Sequence, residues 1–215
     1  MNSAQYADNA NTTYIIEPQF GYNRNIGKGK LNVLLGGTYQ YSNTYGTFIQ
    51  GQNYSNDGLL QNLGSAGSIS TSPGPATNSI EYKYLSAFAR VGYVLKDRYL
   101  VDLNGRRDGS SRFGPRHQFG NFGSVAAGWI FSSEPFLRKA ISTLSYGKLR
   151  ASYGIVGNDP STSYQYLATY RSSGSYQGTA GTVPARIANP DFRWEVTRKL
   201  ETSIELGLLK DRILL

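Results

Sequence analysis

Apolar and polar side chains alternate along most of this chain, in segments of about 10–15 residues. Successive side chains of a strand point to opposite faces, so a period of two predicts strands with one apolar and one polar face. The first segment is Thr13–Arg24, with Tyr14, Ile16, Phe20 and Tyr22 against Glu17, Gln19 and Asn23; Pro18, which cannot donate to a ladder, lies inside it. In Lys30–Asn43, Leu31, Val33, Leu35, Tyr39 and Tyr41 oppose Asn32, Thr38 and Gln40. Ile80–Leu95 is apolar at Leu85, Ala87, Ala89, Val91, Tyr93 and Leu95 and polar at Ser86 and Arg90. Tyr99–Arg107 sets Tyr99, Val101 and Leu103 against Asp102, Asn104 and Arg106. Asn121–Phe131 carries Val125, Ala127 and Trp129 on its apolar face, and Lys148–Val156 alternates Leu149, Ala151, Tyr153 and Ile155 with Arg150, Ser152 and Gly154. Trp194–Leu208 aligns Thr202, Ile204, Leu206 and Leu208 against Glu201, Ser203 and Glu205, and a further strand begins at Ile213-Leu214-Leu215. Between the fifth and sixth strands, Ser133-Glu134-Pro135 is a helix-start signal with Ser133 as N-cap, predicting a short helix over Phe136–Ile141.

The connections alternate in length. Asn25–Gly29, Lys96–Arg98 and Leu209–Arg212 are short; Asn43–Asn78, Asp108–Phe119 and Gly157–Phe192 are long. An antiparallel up-and-down meander with tight turns at one end and long loops at the other produces this rhythm. The fold class is therefore all-β. Two architectures share the pattern: a soluble sandwich, with its apolar face turned to a core, and a transmembrane barrel, with that face turned to lipid. Alternation alone does not separate them. Aromatics at strand ends lean toward the barrel: Tyr93 and Tyr99 flank the Lys96–Arg98 turn, Trp129 ends its strand and Trp194 begins its own.

Composition changes this picture little. The 215 residues contain no apolar run near the roughly 18 that a membrane helix needs, but a barrel strand needs only about 9–11, every second one free to be polar. The absence of cysteine excludes a disulfide framework, a zinc–thiolate site and a cysteine nucleophile. The formal charge is +8, yet Lys28, Lys30, Lys96, Arg98, Arg138, Lys139, Lys210 and Arg212 lie at or beside the shorter connections, and Asn43–Asn78 holds no Lys or Arg. A nucleic-acid face would gather its cations around exposed aromatics instead, so no nucleic acid is expected. His117 is the only histidine, which leaves little for a triad or a metal; no catalytic residue, metal or cofactor is expected.

Several runs in order carry a family resemblance. Lys96-Asp97-Arg98-Tyr99-Leu100 leads to Arg107-Asp108-Gly109-Ser110-Ser111-Arg112-Phe113-Gly114, then to Phe119-Gly120 and Ser124-Val125-Ala126-Ala127-Gly128-Trp129. Lys148-Leu149-Arg150-Ala151-Ser152-Tyr153-Gly154 follows, closed by Gly157-Asn158, and then Asn189-Pro190-Asp191-Phe192-Arg193-Trp194-Glu195. This set, spanning Tyr82–Arg212, resembles the barrel of SusC/RagA-type TonB-dependent outer-membrane transporters of Bacteroidota. The resemblance implies a barrel of about 22 strands around a plug. It also implies residence in the cell outer membrane, import of glycan or peptide fragments with a SusD-like lipoprotein, and energy from the TonB complex. On this reading residues 1–215 are a partial barrel domain of seven or eight strands, lacking signal peptide, TonB box and plug. The alternative is a soluble, lectin-like carbohydrate-binding module.

Residue expectations follow. Arg90, Asp102, Arg106 and Arg150 share the polar faces and are the lumen-facing candidates. Tyr54, Tyr164, Tyr166, Tyr170 and Tyr176 stand among Ser, Gly, Asn and Gln in the long loops, a composition that suits either an adaptable surface for oligosaccharide, peptide or partner, or plain solvated loop. Tyr93, Tyr99, Trp129 and Trp194 are the expected interfacial anchors against outer-membrane lipid. Arg107–Phe113 reads as turn chemistry with local ion pairs rather than a ligand motif.

Overall fold

The computed structural model describes residues 2–71, 77–140, 143–160 and 162–215; the side chains of 77, 78, 138–140, 176 and 180 lie outside the description. The strands are β1 (Ser3–Ile16), β2 (Gln19–Ile26), β3 (Gly29–Gln52), β4 (Ser68–Ser70), β5 (Thr77–Leu95), β6 (Tyr99–Ser110), β7 (Phe119–Trp129), β8 (Leu144–Asn158), β9 (Thr169–Tyr176), β10 (Thr179–Arg186), β11 (Glu195–Leu208) and β12 (Ile213–Leu214). One short helix, α1 (Pro135–Ala140), lies between β7 and β8. Ten strands form one sheet in the order β1-β3-β5-β6-β7-β8-β11-β12, with β2 and β4 also on β3, and β9 and β10 form a separate hairpin. The chain is all-β, and β5 through β8 with β11 form the antiparallel meander expected.

Several elements differ from expectation for identifiable reasons. The first predicted strand is two strands, broken at Glu17-Pro18; the Pro18 carbonyl still accepts from the Gly37 amide at 3.1 Å, but the ring offers no donor in return. β3 runs on to Gln52, far into the segment expected as a loop, and β4 lies within it, since ladder hydrogen bonds join backbones whatever the side chains; β5 begins at Thr77, at its very end. Pro73 and Pro75 of that loop, and Ile141 of the expected helix, lie outside the described residues. The helix begins at Pro135, which puts Glu134 rather than Ser133 at its N-cap position.

Two compact units make up the chain, and β3 and β5 contribute to both. In the first, Met1–Ile15 with Gln40–Lys83, the Tyr14 and Tyr41 rings stack at 6.4 Å and Thr13 Oγ1 meets Ser42 Oγ at 3.0 Å. β4 pairs with the end of β3, Gly51 opposite Ile69.

The second unit, Ile16–Tyr39 with Tyr84–Leu215, holds the meander. Its register aligns residues of one face into rows across the sheet. Val91, Leu103, Val125, Tyr153 and Leu200 form one such row. These side chains are 38–73% exposed, with Val91 lowest and Leu200 highest. A sandwich would bury this face beneath a second sheet; here it stands bare. The buried apolar cluster is elsewhere, at the long-connection end, and is built by Phe113, Phe122 and Trp194 with Tyr84, Ile155 and Phe192 packed around it.

The short connections close at the other end. At Lys96-Asp97 both residues take φ of 52° and the Arg98 amide reaches the Leu95 carbonyl at 3.1 Å, the geometry of a two-residue hairpin turn with a left-handed pair at its centre. Leu209, Lys210 and Asp211 are left-handed as well, held by hydrogen bonds from the Leu209 amide to Thr143 O and from the Asp211 amide to Ser145 Oγ.

Candidate functional site

The polar face of the meander carries the first candidate surface. Arg90, Asn104, Ser124, Gly154 and Lys199 align across five strands, and the neighbouring polar row is Gly92, Asp102, Ala126, Ser152 and Glu201. Small residues in these rows leave room, and a cleft of about 450 Å³ opens there, lined by Arg90, Asp102, Asn104, Arg150, Lys199 and Glu201 among others. Arg90 sets both Nε and Nη2 on Asp102 Oδ1, each at 2.8 Å, and Asn104 Nδ2 donates to Ser124 Oγ at 3.2 Å. Both partners of the Arg90–Asp102 pair are partly exposed, so it contributes at most about 1 kcal/mol. Donors and acceptors of both signs on a wall with space in front suit a polyhydroxylated or peptidic molecule; nothing in the set activates a nucleophile.

Three of the four lumen-facing candidates thus share one cleft: Arg90, Asp102 and Arg150. Arg106 does not join them. It turns toward the long-connection end, with Nε on Asp108 Oδ2 at 2.7 Å and Nη2 on Tyr84 Oη at 2.8 Å.

At that end the loop 111–118 ties the strands to the connection between β8 and β11. Ser110 Oγ donates to Asp159 Oδ2 at 2.9 Å, and Arg112 Nη1 lies 3.5 Å from the same oxygen. Phe113 is wholly buried against Trp194 (4.8 Å between ring centres) and Phe192 (5.6 Å), and Trp194 Nε1 donates to Gln118 O at 3.0 Å. The turn expected at Asp108-Gly109 lies further on: both residues belong to β6, paired with β5 and β7, and the chain turns only from Ser111, because ladder bonds on both sides hold Asp108 and Gly109 extended. Asp108 pairs with Arg106 and Arg112 with Asp159, and to these the fold adds a core.

At the short-connection end three side chains converge on one carboxylate. Tyr99 Oη (2.6 Å) and Trp129 Nε1 (3.3 Å) donate to Glu134 Oε1, and Arg98 Nη1 donates to Oε2 at 3.0 Å. The Tyr99 hydroxyl is the largest influence holding the Glu134 carboxyl below its ordinary 4.5, with Trp129 and Arg98 adding to it and burial opposing. Tyr93 Oη caps the Ile26 carbonyl at 3.0 Å.

Comparison with known proteins decides the family. The model for the β-barrel of TonB-dependent receptor-like proteins matches residues 2–215. The chain belongs to the TonB-dependent receptor β-barrel family. Among curated relatives, TonB-dependent receptor P39 of Formosa agariphila is 37% identical over 137 residues, covering 64% of this chain and 13% of that protein. TonB-dependent receptor P3 of the same organism is 30% identical over 97% of this chain and 21% of its own length. TonB-dependent receptor SusC of Bacteroides thetaiotaomicron is 31% identical over 94% of this chain and 20% of its own. The chain thus spans about a fifth or less of the length of these relatives. The RagAB peptide transporter structure shares the fold, with a TM-score of 0.83 at 23% identity over 98% of this chain and 23% of that one. The family is one of receptors and transporters, not an enzyme class.

Within this receptor barrel segment, the aromatic residues singled out from sequence fall into different surroundings. Tyr99 and Trp129 are part-exposed beside the short connections. Trp194 is placed otherwise: only 9% exposed, it is a core ring between Phe113 and Phe122 rather than a surface anchor, because the 111–118 loop packs Phe113 and Gln118 against it. Tyr54 is also turned inward, 6% exposed, because the segment after β3 folds back on β1. There Tyr54 Oη meets Tyr6 Oη at 3.1 Å, and Tyr6 donates to Leu60 O at 2.6 Å. The bond to Tyr6, then burial, pushes the Tyr54 hydroxyl up to about 12. It is a poor ligand contact. Tyr164 and Tyr166 are half-buried, and Tyr170 is open to solvent on β9; the Tyr176 side chain lies outside the described residues.

Sequence reasoning missed Glu134, Asp159 and the pairing of Phe113 with Trp194. The signal for the last was present: both aromatics sit inside the runs that carry the family resemblance, flanked by Gly114 and by Asn189-Pro190, where chain direction changes.

Proposed function

We propose that residues 1–215 are a partial barrel domain of an outer-membrane TonB-dependent transporter that imports glycan or peptide fragments. Its apolar rows face outer-membrane lipid and its polar rows face the lumen, where Arg90, Asp102 and Arg150 meet the cargo or the plug. Arg106 serves the upper rim of that lumen. Tyr93, Tyr99 and Trp129 mark the interface at the short-turn side. A SusD-like surface lipoprotein engages the long-connection end, and the TonB complex supplies energy through other parts of the receptor.

The observation that carries this reading is the exposed row Val91–Leu103–Val125–Tyr153–Leu200, backed by charged residues on the opposite face. Exposed apolar surface on this scale is unfavourable in water and favourable against hydrocarbon. Membership of the receptor barrel family supports it independently.

Single spin labels test it, since the segment contains no cysteine of its own. In a cysteine-free full receptor in bilayers, a label at Leu103→Cys should collide with dissolved oxygen, which partitions into lipid, and be shielded from a water-soluble nickel complex. A label at the adjacent Asp102→Cys should be shielded from oxygen. Equal access of both labels to the nickel complex would defeat the membrane reading and favour a soluble module.

A further inference from the structure

The connection between β8 and β11 is held at both of its ends and bare in its middle. Asp159 anchors the outgoing side through Ser110 and Arg112. Phe192 and Trp194 anchor the returning side against Phe113, and the Asn189 amide bonds Tyr166 O at 3.1 Å. From this base projects the β9–β10 hairpin, with Thr182 opposite Ser172 and Pro184 opposite Tyr170. Arg186 clamps its foot, with Nη2 on Tyr164 O at 2.7 Å and Nε on Leu167 O at 3.2 Å. Among the described residues neither strand of the hairpin pairs with any other strand. The foot presents three apolar side chains to solvent: Leu167 at 44%, Tyr170 at 66% and Ile187 at 85% exposure.

A two-stranded hairpin open on its edges is marginal in water. Building one on a fixed base, with apolar groups at its foot, is economical only when something covers it. We propose that the β9–β10 hairpin is a docking arm for a second protein at the long-connection end, taking Leu167, Tyr170 and Ile187 into an apolar contact and setting acidic groups against Arg171. This rests on the transporter reading above and names the part of the segment that the surface partner grips. Charge selects the occupant. From Pro160 to Pro190 there are two arginines and no Asp or Glu. Arg186 is committed to carbonyls, and Arg171 is exposed. A second copy of the same arm would set Arg171 against Arg171. Hydrocarbon is a poor occupant because the strands carry exposed Ser172, Ser173, Ser175 and Thr182 and unpaired edges, which lipid cannot hydrogen-bond. A protein surface supplies both the backbone partners and the carboxylates.

The test uses the full receptor in detergent and, as probe, a SusD-like surface lipoprotein from the same organism. Tyr170→Ser with Ile187→Ser should weaken association by about 30-fold or more, as loss of central anchors does. Arg171→Glu should weaken it too and reverse its salt dependence, since salt screens the new repulsion. Hydrogen exchange of the Phe113–Trp194 base should match the wild type in both variants, which excludes misfolding as the cause. Unchanged affinity in both variants overturns the arm, as does loss of binding to lipopolysaccharide vesicles in place of the lipoprotein. No association even for the wild-type receptor overturns the partner reading itself, and the arm with it.

Discussion

Phe113→Ala should free the β8–β11 connection without unfolding the sheet. The Phe113 ring is completely buried and touches Phe192 and Trp194, while Trp194 reaches Phe122 on β7 at 5.4 Å. Truncating a ring in such a site costs about 3–5 kcal/mol in lost transfer energy and residual cavity. The β6–β7 and β7–β8 ladders do not depend on Phe113, which lies outside every strand, so the cost falls on local opening of the connection. At about 1.4 kcal/mol per decade, the opening equilibrium moves by roughly 100- to 3,000-fold. Native-state hydrogen exchange on the full receptor reads this directly. Amides such as His117, bonded to Gly114 O at 2.9 Å, and Asn189, bonded to Tyr166 O, should lose protection by that factor. Ladder amides around Leu103 and Val125 should not change. Equal loss in both regions would mean that the cluster supports the whole sheet, and no loss in either would mean that it supports nothing; each result refutes the reasoning.

Three further outcomes are expected. Glu134 is held below its ordinary value, so its stabilising contact with Tyr99 is complete above the unfolded value of 4.5 and lost as pH falls through the lower folded one; exchange protection near α1 should be flat from neutral pH down to the ordinary carboxylate value and fall only below it, and Glu134→Gln should abolish the fall. Lys96→Asn places a residue that tolerates the left-handed region at a position with φ of 52°, and a denaturant midpoint should show a gain of about 0.5–1 kcal/mol. Leu103→Arg puts a cation on the exposed apolar row and should cost membrane folding about 2–4 kcal/mol, seen as a lower yield of heat-modifiable barrel, whereas Asn104→Arg on the opposite face should fold normally.

Alternation of period two determined strand identity, facing and the order of short and long connections, because pleating ties side-chain direction to residue number. From Tyr99-Val101-Leu103 against Asp102-Asn104 the two faces of β6 were legible, and so was the grouping of Arg90 with Asp102. The extent of β3 was not, since beyond Asn43 its side chains lose the apolar–polar alternation while the backbone ladder continues to Gln52. Only the tertiary structure decided what happens to the residues outside the strands. Tyr54 and Trp194 read as surface rings in the sequence, and both became buried when distant connections folded over them. Arg106 shares a face with Asp102 but spends its donors on Asp108 and Tyr84 at the rim. Burial in a loop depends on which other loops arrive, and those contacts span tens of residues that carry no periodic signal.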